Sequence, residues 1–258
     1  MKRDFTLETY RLLLDAVLAG KYAVQTTAGF LQKPEDRVVI LRHDVDKRPG
    51  NALRTARIEK ELGLRATYYF RAVKQSFNEP VINRIVELGH ELGYHYEDLT
   101  LTRGDKKKAI ENFSLNLERL RSLAPVKTIC MHGSPVSRWD NRKLWEEYDY
   151  RDFDIIGEPY YDLDFNEVLY LTDTGRRWNG FEVSVRDRVD SAYKIDAKTT
   201  ADVIGCLYRG EFSDRVMINT HPQRWDNALL PWAGELVMQN LKNIVKRIIV
   251  KSGNRVNV

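Results

Sequence analysis

Cysteine is scarce in this chain, which has only Cys130 and Cys206 among its 258 residues. Two thiols this far apart exclude a disulfide framework and a zinc site built from cysteines. A bound metal would therefore need histidine and carboxylate ligands. Because nothing indicates disulfides, we expect a reducing compartment, the cytoplasm, unless an export signal once preceded the chain.

Long apolar runs are also missing. The first residues are basic, but Glu8, Arg11 and Asp15 interrupt the apolar positions that follow, as in an amphipathic helix rather than a signal core. No stretch approaches the roughly 18 apolar residues that a membrane span needs. The sequence therefore predicts no membrane-spanning segment.

Neither sign of charge dominates the chain. Its 41 Lys and Arg residues against 37 Asp and Glu give a net charge of +4, with the signs interspersed rather than gathered in a basic stripe. Glycine-rich phosphate loops are absent too, because the first strong strand is followed by R-H-D-V-D at residues 42–46. We therefore expect no nucleic-acid partner and no phosphate-binding turn there.

The chain does contain an alternation of short strand-like runs with longer helical periods. This alternation predicts an α/β fold with a mostly parallel sheet in one domain, as an open sheet or a closed barrel. The predicted strands cover residues 37–42, 65–73, 91–96, 126–131, 154–157, 168–172 and 215–220. The predicted helices cover residues 6–19, 49–62, 80–88, 106–123, 141–148, 199–208 and 235–250.

Ionisable side chains gather where these strands end. In parallel α/β folds the carboxyl ends of the strands converge at one mouth, where sites are built. Any single histidine there has an ordinary alternative as a hydrogen-bonded surface residue. Four of the five histidines share this placement, namely His43, His95, His132 and His221.

Two carboxylates follow the first strong strand with one residue between them. Residues two apart on a strand point the same way, so Asp44 and Asp46 can face one mouth. Close carboxylates repel unless a cation or proton separates them. A metal on Asp46, with Asp44 as the base, would resolve this repulsion. The alternative is a solvated turn that caps the next helix.

A histidine follows the last predicted strand. His221 is a candidate proton donor to a leaving group, and Asp173 could hold its imidazole in one orientation. The alternative is a histidine that lines the mouth without a chemical role.

The order of these segments resembles the polysaccharide deacetylases of the NodB-homology type, carbohydrate esterase family 4 and its relatives, over residues 37–225. Residues 42–46 are similar to the family's first motif in its D-x-D form. The other matching segments are 89–95 (G-H-E-L-G-Y-H), 131–135 (M-H-G-S-P), 173–178 (D-T-G-R-R-W) and 220–222 (T-H-P).

The resemblance implies a deformed (β/α)7 barrel as a single domain over residues 1–258. Residues 1–36 would form an N-terminal helix and lead-in strand, residues 37–225 the motif-bearing barrel, and residues 232–252 a closing helix. It also implies a metal-dependent hydrolase that removes an acetyl group from an acetylated sugar or polysaccharide precursor, at a C–N amide bond or an ester. The oligomeric state is not predicted.

The resemblance further implies roles for single residues. His90 matches a non-ligand histidine and is expected to be structural. The divalent metal is expected to be zinc, with manganese, iron or cobalt as alternatives. By position, Asp44 is the general base, His221 the general acid with Asp173 behind it, and Asp46 and His95 are metal ligands.

Two positions depart from the family pattern. Leu99 stands where the family has its second histidine ligand, so we predict Asp98 as the third ligand, with Glu97, His132 or no third ligand as open alternatives. His132 stands where the family has an arginine that steadies the base. His132 could take over that role or approach the metal.

Substrate contacts are predicted beside the motifs. Aromatic rings stack well on sugar faces, although an ordinary core position is the alternative for each tryptophan. Arg177 could pair with an anionic group of the substrate. The predicted contacts are His132, Trp139, Arg177 and Trp178.

Two other functions stay open. Leu99 and His132 motivate a catalytically weak or inactive carbohydrate-binding barrel that has lost a metal ligand. The D-x-D form of the first motif motivates an amidohydrolase of the same superfamily that opens cyclic imides or ureides.

Overall fold

The protein is described by a computed structural model over residues 3–133, 137–179, 189–193 and 195–253, with the backbone alone for 245–253. In these residues, parallel strands form one sheet. The strands are β1 (Ala23–Gln25), β2 (Val38–Val45), β3 (Thr67–Phe70), β4 (Glu91–Tyr96), β5 (Val126–Met131), β6 (Leu169–Thr172) and β7 (Arg215–Thr220).

Helices connect most of the strands. They are α1 (Leu7–Ala19), α2 (Thr27–Gln32), α3 (Pro49–Glu61), α4 (Glu79–Glu87), α5 (Asp98–Leu101), α6 (Lys106–Arg121), α7 (Pro159–Asp162), α8 (Thr200–Arg209) and α9 (Leu229–Gly253). Short 3-10 helices cover Asn141–Glu146, Tyr150–Phe153 and Pro222–Arg224. Several α-helices begin at a side chain that caps a first-turn N–H, as Thr6, Asn78, Asp105 and Thr199 do.

The strand order is β5-β4-β3-β2-β7-β6, with β1 added beside β2. β2 is buried along all eight residues, and its first half pairs with β1 while its second half pairs with β3. Within the described residues β5 and β6 do not pair with each other, so the barrel stays open between them. The predicted α/β fold with a deformed (β/α)7 barrel is confirmed. The division at residues 36, 225 and 232 stays a prediction.

A buried polar cluster ties α3 to the sheet. Glu59 on α3 accepts hydrogen bonds from Tyr68 at 2.8 Å and from Tyr10, and lies 2.7 Å from His43 Nε2. Burial acts to raise the pKa of Glu59, but the neighbouring His43 outweighs it and the pKa is lowered. His90 is also used internally, because its ring accepts from the Ala66 N–H and donates to a carbonyl of α3. Its predicted structural role is confirmed.

Some predicted elements differ from the structure. The helix predicted over 141–148 is a 3-10 helix over Asn141–Glu146, and the strand predicted over 154–157 is a single bridge between Gly157 and Thr128. The terminal helix begins at Leu229, six residues earlier than its apolar periodicity indicates. Pro231 explains part of this difference. Proline is accepted in the first turn of a helix, but it interrupts the apolar periodicity from which the start of the helix was predicted.

None of the helices in the described part of the chain combines the length and hydrophobicity that a bilayer-spanning segment requires.

Candidate metal centre

Side chains from the ends of three strands of the sheet, β2, β4 and β5, meet at the mouth of the barrel. Asp46 follows β2, His95 lies on β4 and His132 follows β5. Asp46 Oδ1 lies 3.6 Å from His95 Nε2 and 3.5 Å from His132 Nε2. One ligand atom from each of the three residues lies within 4.8 Å of the others.

These three residues fit a divalent cation. Asp46 Oδ1 is buried and has no hydrogen-bond partner, although a buried carboxylate oxygen without a partner is costly. Ligand atoms bound at about 2.1 Å to a tetrahedral ion lie about 3.4 Å apart, close to the separations found here. Burial acts to raise the pKa of Asp46, but His95 and His132 hold it well below the usual range. The carboxylate is therefore ready to bind a cation.

Both histidines are oriented with Nε2 free toward Asp46. His95 donates from Nδ1 to the Cys130 carbonyl at 2.9 Å, and His132 Nδ1 lies 3.0 Å from Glu97 Oε2. Arg71 in turn donates two hydrogen bonds to the Glu97 carboxylate, from Nε at 2.7 Å and from Nη2 at 2.8 Å. A metal-binding histidine commonly donates its other ring N–H to a carbonyl or carboxylate, which fixes the tautomer.

The structure corrects the predicted ligand Asp98. Helix α5 begins at this residue, with Glu97 as its N-cap, and the buried Asp98 is not among the residues grouped with Asp46. The carboxylate accepts hydrogen bonds from Tyr94 at 2.7 Å, Asn112 at 2.6 Å and Asn116 at 2.9 Å. Burial raises the pKa of Asp98 to about 6.

Of the alternatives for the third ligand, His132 is the residue placed with Asp46 and His95. Glu97 is engaged by Arg71 and His132. Leu99 is buried in the hydrophobic core. The third candidate ligand of this site, its second histidine, thus comes from the end of β5. Residues 134–136, which include part of the predicted third motif, lie outside the described residues.

Asp44 is held by an arginine on its own strand. Arg42 donates from Nε to Asp44 Oδ1 at 2.9 Å and from Nη2 to Oδ2 at 2.7 Å, and Asn219 donates to Oδ2 at 3.0 Å. Burial acts to raise the pKa of Asp44, but Arg42 and His95 lower it far below the usual value. Asp44 Oδ2 also lies 3.9 Å from His95 Nε2. Arg42, and not His132 as expected, is thus the residue that steadies Asp44.

Asp44, His95 and Cys130 form a second group of possible ligands. It shares His95 with the first group. Because Arg42 and Asn219 already use both oxygens of Asp44, this second group fits a cation less well than the group of Asp46 does.

The predicted pair of His221 and Asp173 is present. Asp173 is fully buried, and its Oδ1 lies 2.7 Å from His221 Nδ1 while its Oδ2 accepts from the His221 backbone N–H at 3.0 Å. Arg224 and, at 2.8 Å, the Trp225 indole N–H also donate to this carboxylate. Burial acts to raise the pKa of Asp173, but Arg224 and His221 lower it. His221 Nε2 is left facing Asp46 Oδ2 at 4.0 Å.

The predicted substrate contacts have different surroundings. Trp178 is buried and its indole N–H donates to Thr200 at 3.0 Å, so it is a core residue and the prediction that it stacks on a sugar is corrected. Trp139 is partly exposed beneath the guanidinium of Arg138. Arg177 is partly exposed and donates to Asn179 at 3.0 Å. The roles of Trp139 and Arg177 stay predictions.

Sequence reasoning missed the side chains that support the site. Arg42 and Asp44 are two apart on a strand and so share a face, and this spacing could have revealed their pairing. The contacts of Glu97 with His132 and of Arg224 with Asp173 join separate strand ends. No local pattern indicates such contacts.

No family model matches this chain, and no curated protein does. Similar solved structures do exist. The CE4 family pseudoenzyme BA3943 from Bacillus anthracis is 14 % identical with a TM-score of 0.45, and the match covers 83 % of this chain but 62 % of that one. This chain therefore spans less than two thirds of the length of that protein.

Two further solved structures are similar. A Streptococcus mutans CE4 esterase is 13 % identical with a TM-score of 0.48, covering 91 % of each chain. A family 4 acetyl xylan esterase from Clostridium thermocellum, in complex with a cobalt ion, is 16 % identical with a TM-score of 0.37, covering 79 % of this chain and 83 % of that one. These matches are to the family that the motifs of residues 37–225 resemble.

Proposed function

We propose that this protein is a metal-dependent hydrolase that removes an acetyl group from a carbohydrate, at an amide C–N bond or an ester. One observation carries the proposal. Asp46 Oδ1 is buried without a hydrogen-bond partner and is faced by His95 Nε2 and His132 Nε2 at 3.6 and 3.5 Å. Three protein ligands leave a position open for a reactant, as in catalytic rather than structural sites.

Asp46, His95 and His132 would hold the cation. One carboxylate and two imidazoles suit zinc, with manganese, iron or cobalt as alternatives. When bound, such a cation supplies Lewis-acid chemistry, which polarises an acyl oxygen and acidifies water.

The remaining residues of the mouth would move protons. Asp44 is kept anionic by Arg42, which presents it as the acceptor for the proton of an attacking water. Asp173 accepts from His221 Nδ1 and so directs Nε2 into the mouth, where it would donate a proton to the departing nitrogen or oxygen. Trp139 and Arg177 are the proposed contacts to the sugar.

The alternative of an inactive barrel was motivated by Leu99 and His132. The position of His132 beside Asp46 and His95 favours the enzyme over this alternative, because it gives three candidate donors. A cyclic imide or ureide would meet the same proton-transfer groups, so only a substrate panel separates that alternative from an acetylated sugar.

Metal content tests the ligand set. The chain is loaded with zinc, desalted and measured by inductively coupled plasma mass spectrometry. We expect about one zinc per chain, and an affinity at least about 100-fold lower in Asp46→Ala and His132→Ala, since even supporting residues of metal sites cost 10- to 100-fold. Asp98→Asn is the matched control and should keep its zinc. A chain that takes up no metal would favour the inactive barrel, and zinc lost from Asp98→Asn but kept in His132→Ala would restore Asp98 as ligand.

Acetate release tests the reaction. The zinc-loaded chain is given N-acetylated sugars, O-acetylated sugars and cyclic imides in parallel. Asp44→Asn and His221→Ala should keep their zinc while kcat falls by about 100- to 10,000-fold, the usual contribution of a general acid or base. Turnover of the imides alone would point to the cyclic-amide alternative, and equal turnover in both variants would contradict the assigned roles.

A further inference from the structure

Helix α9 presents a polar face to the body of the protein. Glu235 and Gln239 are buried, and Lys47 pairs with Glu235 at 2.8 Å. Asn243, one turn further on, donates to the Gly175 carbonyl at 3.0 Å. Trp232 and Leu236 are also partly buried, but beyond them the buried side of the helix is polar, although surface helices usually bury an apolar side.

The apolar side of α9 faces outward. Its members are seven, one, three and three residues apart in sequence, which places them in one stripe along the helix. Each is between 51 % and 84 % exposed. An apolar patch of this kind on a protein surface marks an interaction site. The stripe consists of Leu230, Val237, Met238, Leu241 and Ile244.

The charge of α9 restricts what can cover this stripe. Residues 229–253 contain four basic residues, Lys242, Lys246, Arg247 and Lys251, and one acidic residue, Glu235, which Lys47 already neutralises. The helix thus carries most of the net charge of +4 of the whole chain. Two copies packed along α9 would bring like charges together, whereas an anionic surface would be attracted.

We propose that α9 docks this protein on an anionic lipid surface. The stripe would enter the boundary between headgroups and acyl chains, and the net positive charge of the helix would be attracted by the anionic headgroups. α9 is fixed beside the mouth of the barrel, because Glu235 pairs with the residue after Asp46 and Asn243 bonds to the second residue after Asp173. Docking would therefore hold the mouth near the lipid surface. The proposal does not depend on catalysis.

Vesicle co-sedimentation of the full chain tests it. Vesicles of phosphatidylcholine alone are compared with vesicles that also contain phosphatidylglycerol, at low and high salt. We expect binding to the anionic vesicles only, weakened by salt. Leu241→Glu should abolish binding, and Lys242→Glu should lower the partition coefficient at least about fivefold. Leu115→Glu replaces a leucine of α6 that is at least as exposed as Leu241 and is the matched control, which should bind as the parent does.

Three results would overturn the proposal. The first is no binding of the parent chain to anionic vesicles. The second is unchanged binding of Leu241→Glu, with its fold verified by circular dichroism. The third is a concentration-dependent dimer in sedimentation velocity that Leu241→Glu dissociates while vesicles stay unbound, because a second copy would then cover the stripe.

Discussion

At the residue scale, the pairing of Arg42 with Asp44 is the main feature that supports the site. The guanidinium is fully buried and the carboxylate nearly so, and two parallel hydrogen bonds join them. Two charges taken out of water lose hydration, and their attraction compensates only with good geometry and further hydrogen bonds. Asn219 supplies one such bond to Asp44. The pair therefore fixes the carboxylate as an anion in one orientation.

Removing one partner should be far worse than removing both. Arg42→Met leaves a buried anion, and we expect the free energy of unfolding to fall by about 3–5 kcal/mol. In Arg42→Met with Asp44→Asn that anion is gone, so the double variant should be more stable than Arg42→Met alone. Urea denaturation followed by tryptophan fluorescence measures both.

The exposed pair of Arg11 with Glu61 is the control for this cycle. Its two side chains are 44 % and 61 % exposed, so Arg11→Met should cost less than about 1 kcal/mol. Equal losses for Arg11→Met and Arg42→Met would show that the buried pair does not organise the site. A double variant less stable than Arg42→Met would show the same.

At the scale of elements, β4 carries His95 on a strand that packs unusually closely. A Cβ on Gly93 would overlap the ring of Tyr69 on β3. The register of β4 with β5 also shifts between Leu92 and Tyr94. Glycine at position 93 thus lets β4 approach β3, and His95 follows two residues later on the same face.

Adding one methyl group to β4 should therefore reach the metal site. Gly93→Ala should lower the free energy of unfolding by about 1–3 kcal/mol through overpacking against Tyr69. It should also weaken zinc binding, because β4 has to shift and His95 with it. Thermal unfolding and competitive zinc titration measure the two effects.

Gly50→Ala is the matched control for Gly93→Ala. A Cβ on Gly50, in the first turn of α3, meets no atom within 4 Å. This variant should be neutral or stabilised by up to about 1 kcal/mol, with zinc binding unchanged. Unchanged zinc affinity in Gly93→Ala would contradict the coupling of strand packing to the site.

Some strands and helices could be predicted from the sequence alone, and others could not. Strands over 91–96, 126–131 and 215–220 were recognisable because buried parallel strands are short apolar runs. α5 was not, because a helix of four residues has no visible period. Asp98 was predicted as a ligand because Leu99 stands at the family's second histidine position, and the short helix that holds Asp98 was not visible in the sequence.

The histidine at the third ligand position needed tertiary distances. The pairing of His95 with Cys130 across β4 and β5 places His132 beside the mouth. Neither the spacing of the two histidines along the chain nor the family pattern, which has arginine there, contains that information. The terminal helix was likewise predicted as amphipathic, but its sequence does not tell which side faces the protein.

At the scale of the whole molecule, two buried carboxyl groups oppose the usual rise of stability with pH. Burial raises the pKa of Asp98 to about 6 and that of Glu158 to about 7. In the unfolded chain both groups ionise near pH 4. The folded state therefore holds more protons between about pH 4 and 7, and the free energy of unfolding falls as pH rises through this window.

Glu158→Gln should remove one half of this effect. Between pH 4.5 and 7.5 the ionisation of Glu158 lowers the free energy of unfolding of the parent by about 3 kcal/mol, because each unit of pKa shift is worth about 1.4 kcal/mol. The variant lacks this group and does not show this loss. The difference in free energy of unfolding between variant and parent should thus move by about 3 kcal/mol in favour of the variant over that range. Urea denaturation at a series of pH values in metal-free buffer measures it. All other titrating groups are shared, so the difference isolates position 158.

Glu167→Gln is the control, because this side chain is 65 % exposed. Its free energy of unfolding should differ from that of the parent by no more than about 0.5 kcal/mol at every pH. A flat profile for both variants would mean that Glu158 ionises in the folded state as it does in the unfolded chain.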